Sequence, residues 1–349
     1  MTGRIRQITD GPAISHPSYF LQSSFYPGGQ SMFFTAYRSG SAQVWRTSLE
    51  SGETGQLTHG APIHPYSPAL HPNGEDLIVT RGGSLWTGNR CIFEAKGAEF
   101  GECSISPDGE WLTAAYKRGN ESGLVAGRFD GTNWQAIPFP RTVIHPQFHP
   151  LDPSWIEFAG DPAPRMHRVR RDGTGLECLY QHGNDEFIVH ETFLRPTGDI
   201  VFTVWPYKLC RMDWTTRHIS AITEYNAWHI APDRRGERIL CDTNHPDEGL
   251  QIIDVKTGAR RQLCLSQSSN QGTQWLKSSY ALASDFAEAR ERGGRAKRED
   301  NLSWMENAAD TVYGPQYTHP HPSWSYEEDK VAFASDRTGV TQVYIVEVT

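Results

Sequence analysis

Short apolar runs alternate with polar turns along the whole chain, and the same arrangement recurs seven times. Each copy has an apolar run, a turn of the Pro-x-Gly type or a relative of it, and a second run rich in β-forming residues. A Pro-Asp-Gly type centre between two such runs predicts a hairpin. Several copies continue into a third and a fourth run. The seven markers are "SSFYPGGQSMFFTAY", "PALHPNGEDLIVTR", "CSISPDGEWLTAAY", "PQFHPLDPSWIEFAG", "ETFLRPTGDIVFTVW", "WHIAPDRRGERILCDT" and "HPSWSYEEDKVAFASD".

Seven repeats of four short antiparallel strands predict an all-β fold, a seven-bladed β-propeller. The last copy ends after its third strand, whereas the N-terminal "RIRQITDG" resembles the fourth run "TGQLTHG" of the first copy. We therefore expect residues 4–9 to complete the C-terminal blade, and residues 1–349 to form one domain. The alternative is a pair of β-sandwich domains. It is disfavoured because the repeat is even and no linker interrupts it.

One segment, residues 267–311, breaks the rhythm between the sixth and seventh copies. Its middle is rich in Ala, Glu and Arg and predicts one or two helices. Connections between blades lie by the mouth of the central channel. The insertion is therefore expected either to overhang that mouth or to be a solvated helical excursion without a role.

Composition and charge exclude several classes of protein. The chain has 349 residues with 32 Gly and 22 Pro, which suits many strands joined by tight turns. A net charge of -8 argues against non-specific binding to nucleic acid. No apolar run is long enough for a membrane span, and the N-terminus has no signal-peptide pattern. Six scattered cysteines without a CxxC pair predict reduced thiols and a cytoplasmic location, while no pattern indicates an oligomeric state.

Several histidines precede the repeated turn by a few residues, on or just before the predicted innermost strand of a blade. Innermost strands of a propeller line one channel, so residues far apart in sequence are expected to converge there. Imidazole nitrogens and an amide oxygen suit a divalent ion such as Mn²⁺, Zn²⁺ or Ni²⁺. Any one of these histidines alone is more often structural. The candidates are His64, His145 with nearby Gln147, His190, His229, and the group of Gln316, His319 and His321.

The chain resembles the oligogalacturonate lyases, seven-bladed propellers with a metal at the channel mouth. "QYTHPHPSW" is similar to the metal-binding segment of that family, which implies Gln316, His319 and His321 as ligands. "NAWHIAPDRRG" takes the place of a further ligand, which implies His229, with Mn²⁺ as the expected ion. His245, in "NHPDEGLQ", is a competing ligand.

The same resemblance implies β-elimination on short oligogalacturonates such as unsaturated digalacturonate. His190, in "IVHETFLRPTGD", takes the place of the catalytic base, and Arg165, in "GDPAPRMHRV", that of a substrate-contacting arginine. His145 and Gln147 are further expected substrate contacts, with His145 the next candidate for the base. Glu191 is not assigned as the partner of His190, because adjacent side chains on a strand face opposite ways.

The chemistry of a uronate explains why such residues are needed. The C5 proton is α to a carboxylate and only weakly acidic. A divalent ion and an arginine on the carboxylate offset the charge that develops when a neutral histidine removes the proton. Two alternatives stay open. One is a lyase for another uronate-containing glycan. The other is a non-catalytic binding or scaffold propeller, which "VAFASDRTGVTQVYIVEV" also fits. Hydrolase and kinase motifs are missing from the sequence.

Overall fold

The computed structural model describes residues 3–161, 163–183, 186–243, 247–269 and 316–348. These residues form 28 strands in seven antiparallel sheets of four strands each. Blade one contains β2 (Ser15–His16), β3 (Ser31–Ala36), β4 (Gln43–Ser48) and β5 (Thr54–Gln56). Blade two contains β6 (Ala69–Leu70), β7 (Leu77–Arg81), β8 (Ser84–Thr87) and β9 (Arg90–Glu94). Blade three contains β10 (Glu99–Ile105), β11 (Trp111–Arg118), β12 (Glu121–Arg128) and β13 (Gln135–Phe139).

The remaining blades follow the same order from the innermost to the outermost strand. Blade four contains β14 (Thr142–Phe148), β15 (Trp155–Asp161), β16 (Met166–Arg170) and β17 (Glu177–Cys178). Blade five contains β18 (Ile188–Leu194), β19 (Asp199–Val204), β20 (Lys208–Met212) and β21 (Ile219–Thr223). Blade six contains β22 (Ala227–Pro232), β23 (Arg238–Thr243), β24 (Leu250–Asp254) and β25 (Arg260–Cys264). Blade seven contains β26 (Ser323–Trp324), β27 (Lys330–Ser335), β28 (Gln342–Glu347) and, from the N-terminus, β1 (Ile5–Gln7).

The predicted closure of the ring by the N-terminus is confirmed. Strand β1 pairs antiparallel with β28, with Ile5 opposite Val346 and Gln7 opposite Tyr344. Just after β1, the Thr9 hydroxyl donates to the side-chain oxygen of Gln342 at 2.6 Å and accepts the main-chain N–H of Val343 at 2.9 Å. The two ends of the chain are therefore joined within one sheet.

The same latch occurs in blade one, where the fourth strand follows in sequence. The Thr58 hydroxyl donates to the Gln43 side-chain oxygen at 2.7 Å and accepts the Val44 N–H at 2.8 Å. The similarity of "QITDG" to "QLTHG" thus reflects one local structure that is used twice.

The hydrophobic core is divided into clusters, each between two successive sheets. Side chains from the facing sheets interdigitate in every gap between neighbouring blades, including the gap between blades seven and one. In that last gap, Phe34 and Met32 of blade one pack with Ala332 and Ile345 of blade seven. The sheets therefore form a closed ring, the predicted seven-bladed β-propeller.

Glycine turns join the first two strands of several blades. In "SPDG", Gly109 has φ +75° and its N–H donates to the Ser106 carbonyl at 2.9 Å. A side chain at this position would also collide with the His71 ring of the preceding blade. Gly109 therefore allows both the turn and close packing between blades two and three.

The predicted helical insertion, residues 267–311, lies almost wholly outside the described residues. All six cysteines are free, as expected. In the part of the chain that the structure describes, no helix has the length and apolar character needed to cross a membrane.

Candidate metal centre and catalytic site

Four neighbouring blades carry the same irregularity in their innermost strands. In β10, β14, β18 and β22, two residues of the innermost strand lie opposite one residue of the second strand, as in a β-bulge. The bulges bring polar side chains of different blades into one space, because all four strands border the central channel. The residues that the pairing skips are Gly101 with Glu102, His145 with Pro146, His190 with Glu191, and Trp228 with His229.

Three of the site histidines have left-handed backbone conformations. The φ angles are +56° at His145, +57° at His190 and +44° at His321. This region is uncommon for residues other than glycine, and it persists only where the surrounding structure enforces it. Strain of this kind concentrates at functional sites.

His229 is held by a carboxylate from the second strand of its own blade. Its main-chain N–H donates to Asp242 Oδ1 at 2.7 Å, and its Nδ1 lies 2.8 Å from Asp242 Oδ2. The carboxylate favours the tautomer with hydrogen on Nδ1, which leaves a lone pair on Nε2. That Nε2 is buried and has no hydrogen-bond partner among the described residues. A carboxylate behind a histidine in this way is typical of metal ligands.

His319 and His321 lie just before β26, and their rings contact the ring of His229 beside the central channel. The Ala334 N–H donates to the carbonyl of Pro320 at 2.8 Å, which ties the two histidines to blade seven. One ring nitrogen from each of His229, His319 and His321 lies within 4.8 Å of the other two, and the three residues are fully buried. Both ring nitrogens of His321 are buried without a hydrogen-bond partner among the described residues.

These three imidazoles fit a divalent metal ion. Burial holds the pKa of His229 and of His321 well below the usual value, and the neighbouring histidines add to the effect. Neutral rings have the lone pairs that a borderline ion binds. Burial also raises the pKa of Asp242 to about 7, although the N–H donors around it act in the opposite direction.

His190 lies beside this cluster. Its ring centroid is 4.3 Å from that of His229 and 4.6 Å from that of Trp228. Its Nδ1 has no hydrogen-bond partner among the described residues. Burial, followed by the nearby His229 and His145, lowers the pKa of His190 well below its ordinary value. His190 is therefore a neutral imidazole next to the candidate metal site.

Arg165 is buried and is aligned by Glu191 of the neighbouring blade. Its Nε donates to Glu191 Oε1 at 2.6 Å, and its Nη2 lies 3.4 Å from His145 Nδ1. Glu191 Oε2 lies 3.5 Å from the same His145 nitrogen. Burial alone would raise the pKa of Glu191, but the charge of Arg165 and the contact with His145 lower it to about 2. Glu191 thus bridges Arg165 and His145, in keeping with the expectation that it does not orient His190.

Gln147 lies next to Glu191, and its side-chain amide forms hydrogen bonds with other protein groups. Its nitrogen donates to the Glu191 carbonyl at 2.8 Å and lies 3.3 Å from Glu157 Oε2, and its oxygen accepts from the Thr192 hydroxyl at 2.8 Å. Burial and the charge of Glu191 raise the pKa of Glu157 well above its usual range. These hydrogen bonds occupy the Gln147 amide within the protein. Substrate contact by Gln147 stays a prediction.

Two aromatic residues between β2 and β3 pack against the site histidines. The Tyr19 hydroxyl lies 2.8 Å from His145 Nε2, and the Tyr19 ring lies 5.1 Å from that of His321. The Phe20 ring lies 5.2 Å from that of His190. Phe20 also lines a cavity of about 430 Å³ formed at the C-terminal ends of the innermost strands. Phe20 therefore contacts both His190 and that cavity.

The other predicted site residues lie in different places. His64 is buried just before β6, where burial lowers its pKa to about 3, and it is not part of the three-histidine cluster. Gln316 begins the short 3-10 helix Gln316–Thr318, and its role as a ligand stays a prediction. His245 lies outside the described residues.

Sequence reasoning missed several buried site residues. Asp242 and Glu157 are acidic residues directly after or within an apolar run of a strand, in "RILCDT" and "WIEFAGD", and that pattern could have identified them. Glu102 accepts the main-chain N–H of His145 at 2.8 Å and stands in the similar setting "FGECSI". Tyr19 and Phe20 gave no such signal, because buried aromatic residues are common in any core.

Known proteins resemble this chain over nearly its whole length, although no protein-family model matches it. An oligogalacturonide lyase from Pectobacterium atrosepticum is 22% identical over an alignment of 385 positions, gaps included, which covers 98% of this chain and 92% of the relative. An oligogalacturonate lyase from Dickeya dadantii is 21% identical over an alignment of 399 positions, with the same coverage. The resemblance to the oligogalacturonate lyases is confirmed.

The solved structures agree on the fold. A structure of an oligogalacturonate lyase in complex with manganese has a TM-score of 0.79 and 18% identity, covering 99% of this chain and 93% of the other. At this identity the match supports the seven-bladed fold alone.

Proposed function

We propose that this protein is a metal-dependent lyase that cleaves short oligogalacturonates by β-elimination. The observation that carries the proposal is the convergence of His229, His319 and His321, each of which has one ring nitrogen within 4.8 Å of those of the other two. A propeller that serves only as a scaffold has no need for three buried imidazoles at one point. The names of the curated relatives and the manganese complex support the substrate class and Mn²⁺ as the ion.

The three histidines, with Gln316 as a fourth ligand, would hold the ion. When bound, it supplies Lewis-acid stabilisation of the negative charge that develops on the uronate carboxylate. A buried site strengthens this effect, because little water competes for the charge.

His190 removes the C5 proton. Its ring lies against that of His229, so a substrate carboxylate at the metal site brings C5 close to it. Burial keeps the imidazole neutral and able to accept a proton. A base of this kind contributes a rate factor of about 10²–10⁴.

Arg165 orients the anionic substrate. Glu191 fixes the guanidinium through a 2.6 Å hydrogen bond, so the arginine need not be ordered when substrate arrives. A planar guanidinium suits the two oxygens of a carboxylate. The acidic protein can therefore bind an acidic oligosaccharide through positive groups that are confined to the site.

Product analysis with a panel of uronate oligomers tests this function. Short oligogalacturonates should give fragments with a C4=C5 double bond, detected by ultraviolet absorbance and by mass. Faster cleavage of another uronate glycan would reassign the substrate, and hydrolytic products without the double bond would contradict β-elimination. If no panel member yields an unsaturated product from metal-replete protein, the proposal is wrong.

A further inference from the structure

We propose that Tyr19, His145 and Glu191 form a hydrogen-bonded chain that delivers a proton to the departing sugar oxygen, with Tyr19 as the group that meets the substrate. The inference rests on the proposed function. A β-elimination needs a base for the C5 proton and an acid for the leaving oxygen. His190 and the metal ion serve removal of the C5 proton, and they do not protonate the leaving oxygen.

The three residues are connected in series through opposite nitrogens of one imidazole. The Tyr19 hydroxyl lies 2.8 Å from His145 Nε2, while His145 Nδ1 lies 3.5 Å from Glu191 Oε2. All three side chains are buried. The bulge in β14 places His145 in a left-handed conformation with its ring between the other two groups. The strained backbone at this position suggests that the ring position matters for function.

The far end of the chain is an ion pair. Glu191 is an ionised carboxylate because Arg165 lies against it. His145 Nδ1 lies near both Glu191 Oε2 and Arg165 Nη2, and its Nε2 faces the oxygen of Tyr19. The imidazole of His145 therefore connects the ion pair to the Tyr19 hydroxyl.

Tyr19 is the member of the chain that reaches the metal cluster. Its ring centroid lies 5.1 Å from that of His321 and 6.0 Å from that of His229. His190, the proposed base, lies against the same His229 ring and is 5.9 Å from the His145 ring. The acid and the base therefore both border the place where the substrate carboxylate would bind.

The step balances without any further reactant. His190 takes the C5 proton, the electron pair of that C–H bond forms the C4=C5 double bond, and the C4–O bond breaks. The departing oxygen takes the phenolic proton of Tyr19, and His145 Nε2 stays hydrogen-bonded to the Tyr19 oxygen. The protein gains one proton at His190 and loses one at Tyr19, and exchange with solvent restores both.

Tyr19→Phe tests the inference, because it keeps the ring and removes only the hydroxyl. We expect unchanged metal content, a KM within about threefold of the original, and a fall in kcat of about 10²–10⁴. In heavy water, the ratio of C5 hydrogen exchange to elimination should rise, because the base still works while expulsion is slow. Tyr344→Phe, at a buried tyrosine in the third strand of blade seven, is the matched control and should change neither rate.

Two further variants keep the test decisive. Glu191→Gln leaves every ring in place and should also lower kcat while C5 exchange continues. His145→Gln should do the same. If His145→Gln abolishes exchange together with elimination, His145 is the base and the inference is wrong. A Tyr19→Phe protein with near-normal kcat, or one that loses exchange in step with elimination, would also overturn it.

Failure of this inference and failure of the proposed function give different results. If the unmodified protein forms no unsaturated product from any uronate, the proposed function itself fails. If the unmodified protein is active and Tyr19→Phe is equally active, only the acid chain is wrong.

Discussion

At the scale of single residues, the site depends on side chains that fix one another. His229 would bind a metal through Nε2 because Asp242 holds its Nδ1, and Arg165 points toward the site because Glu191 holds its Nε. Such supporting carboxylates set the tautomer and the direction of the groups that meet the ion and the substrate.

Asp242→Asn should weaken metal binding without removing a ligand. The amide cannot accept both N–H groups of His229 as strongly, so we expect the affinity for Mn²⁺ to fall about 10–100-fold. Titration of metal-free protein with Mn²⁺ measures this. Asp254→Asn, in an exposed turn of the same blade, is the control and should bind the ion as tightly as the original protein. Equal affinity in both variants would mean that Asp242 does not support a ligand.

Replacing the proposed base and replacing a proposed metal ligand should affect metal content differently. His190→Asn suits the left-handed backbone at φ +57° and should retain metal while turnover falls about 10²–10⁴-fold. His321→Ala should lose both metal and turnover. Elemental analysis beside the rate assay separates the two roles. A His321→Ala protein with full metal content would remove His321 from the ligand set, and a metal-replete, fully active His190→Asn protein would place the base elsewhere.

At the scale of strands, the repeated bulge builds the site. The same one-residue insertion in β10, β14, β18 and β22 turns four innermost strands toward one point. In β18 it holds His190 in a conformation that normally favours glycine. The fold therefore keeps this histidine against a local conformational cost.

His190→Gly should be more stable than His190→Ala. Glycine adopts φ +57° without the clash that a Cβ causes, so we expect a difference of about 1 kcal/mol in the free energy of unfolding. Urea denaturation measures it. At Thr192, two residues along the same strand, the order should reverse, because glycine costs stability in an ordinary strand. The same order at both positions would show that His190 is not strained.

The sequence predicts the strands of each blade but not the bulges within them. The turn motifs predict the strands and place His145, His190 and His229 on innermost strands, because those motifs are local and repeat. A one-residue bulge has no repeated sequence motif. The regular alternation of side-chain directions along a strand therefore could not show that Glu191 of β18 reaches Arg165 of blade four. Long-range contacts of this kind depend on how neighbouring blades pack.

At the scale of the whole molecule, the ring is closed by its first residues. The repeat revealed this closure, because the last copy lacks a fourth strand and "RIRQITDG" supplies one. Tyr19 and Phe20 could not be placed in the same way, since only the assembled ring brings the segment between β2 and β3 against histidines of blades four to seven.

Thr9→Val should loosen this closure. It removes a hydroxyl that bonds Gln342 and Val343, and we expect a loss of about 1–3 kcal/mol. Thr58→Val removes the equivalent latch of blade one and is the matched control. Only Thr9→Val should speed amide exchange in β28. Deletion of the first eleven residues should expose the edge of that strand and promote aggregation. Unchanged exchange in β28 would contradict the latch.

Metal removal tests whether an ion held by His229, His319 and His321 drives the elimination. The measurement is the ultraviolet absorbance of the C4=C5 product from a short oligogalacturonate, before EDTA treatment, after it, and after Mn²⁺ is restored. We expect steady product formation before treatment, almost none after EDTA, and recovery once Mn²⁺ is restored. Full activity in protein that elemental analysis shows to be free of metal would contradict this expectation.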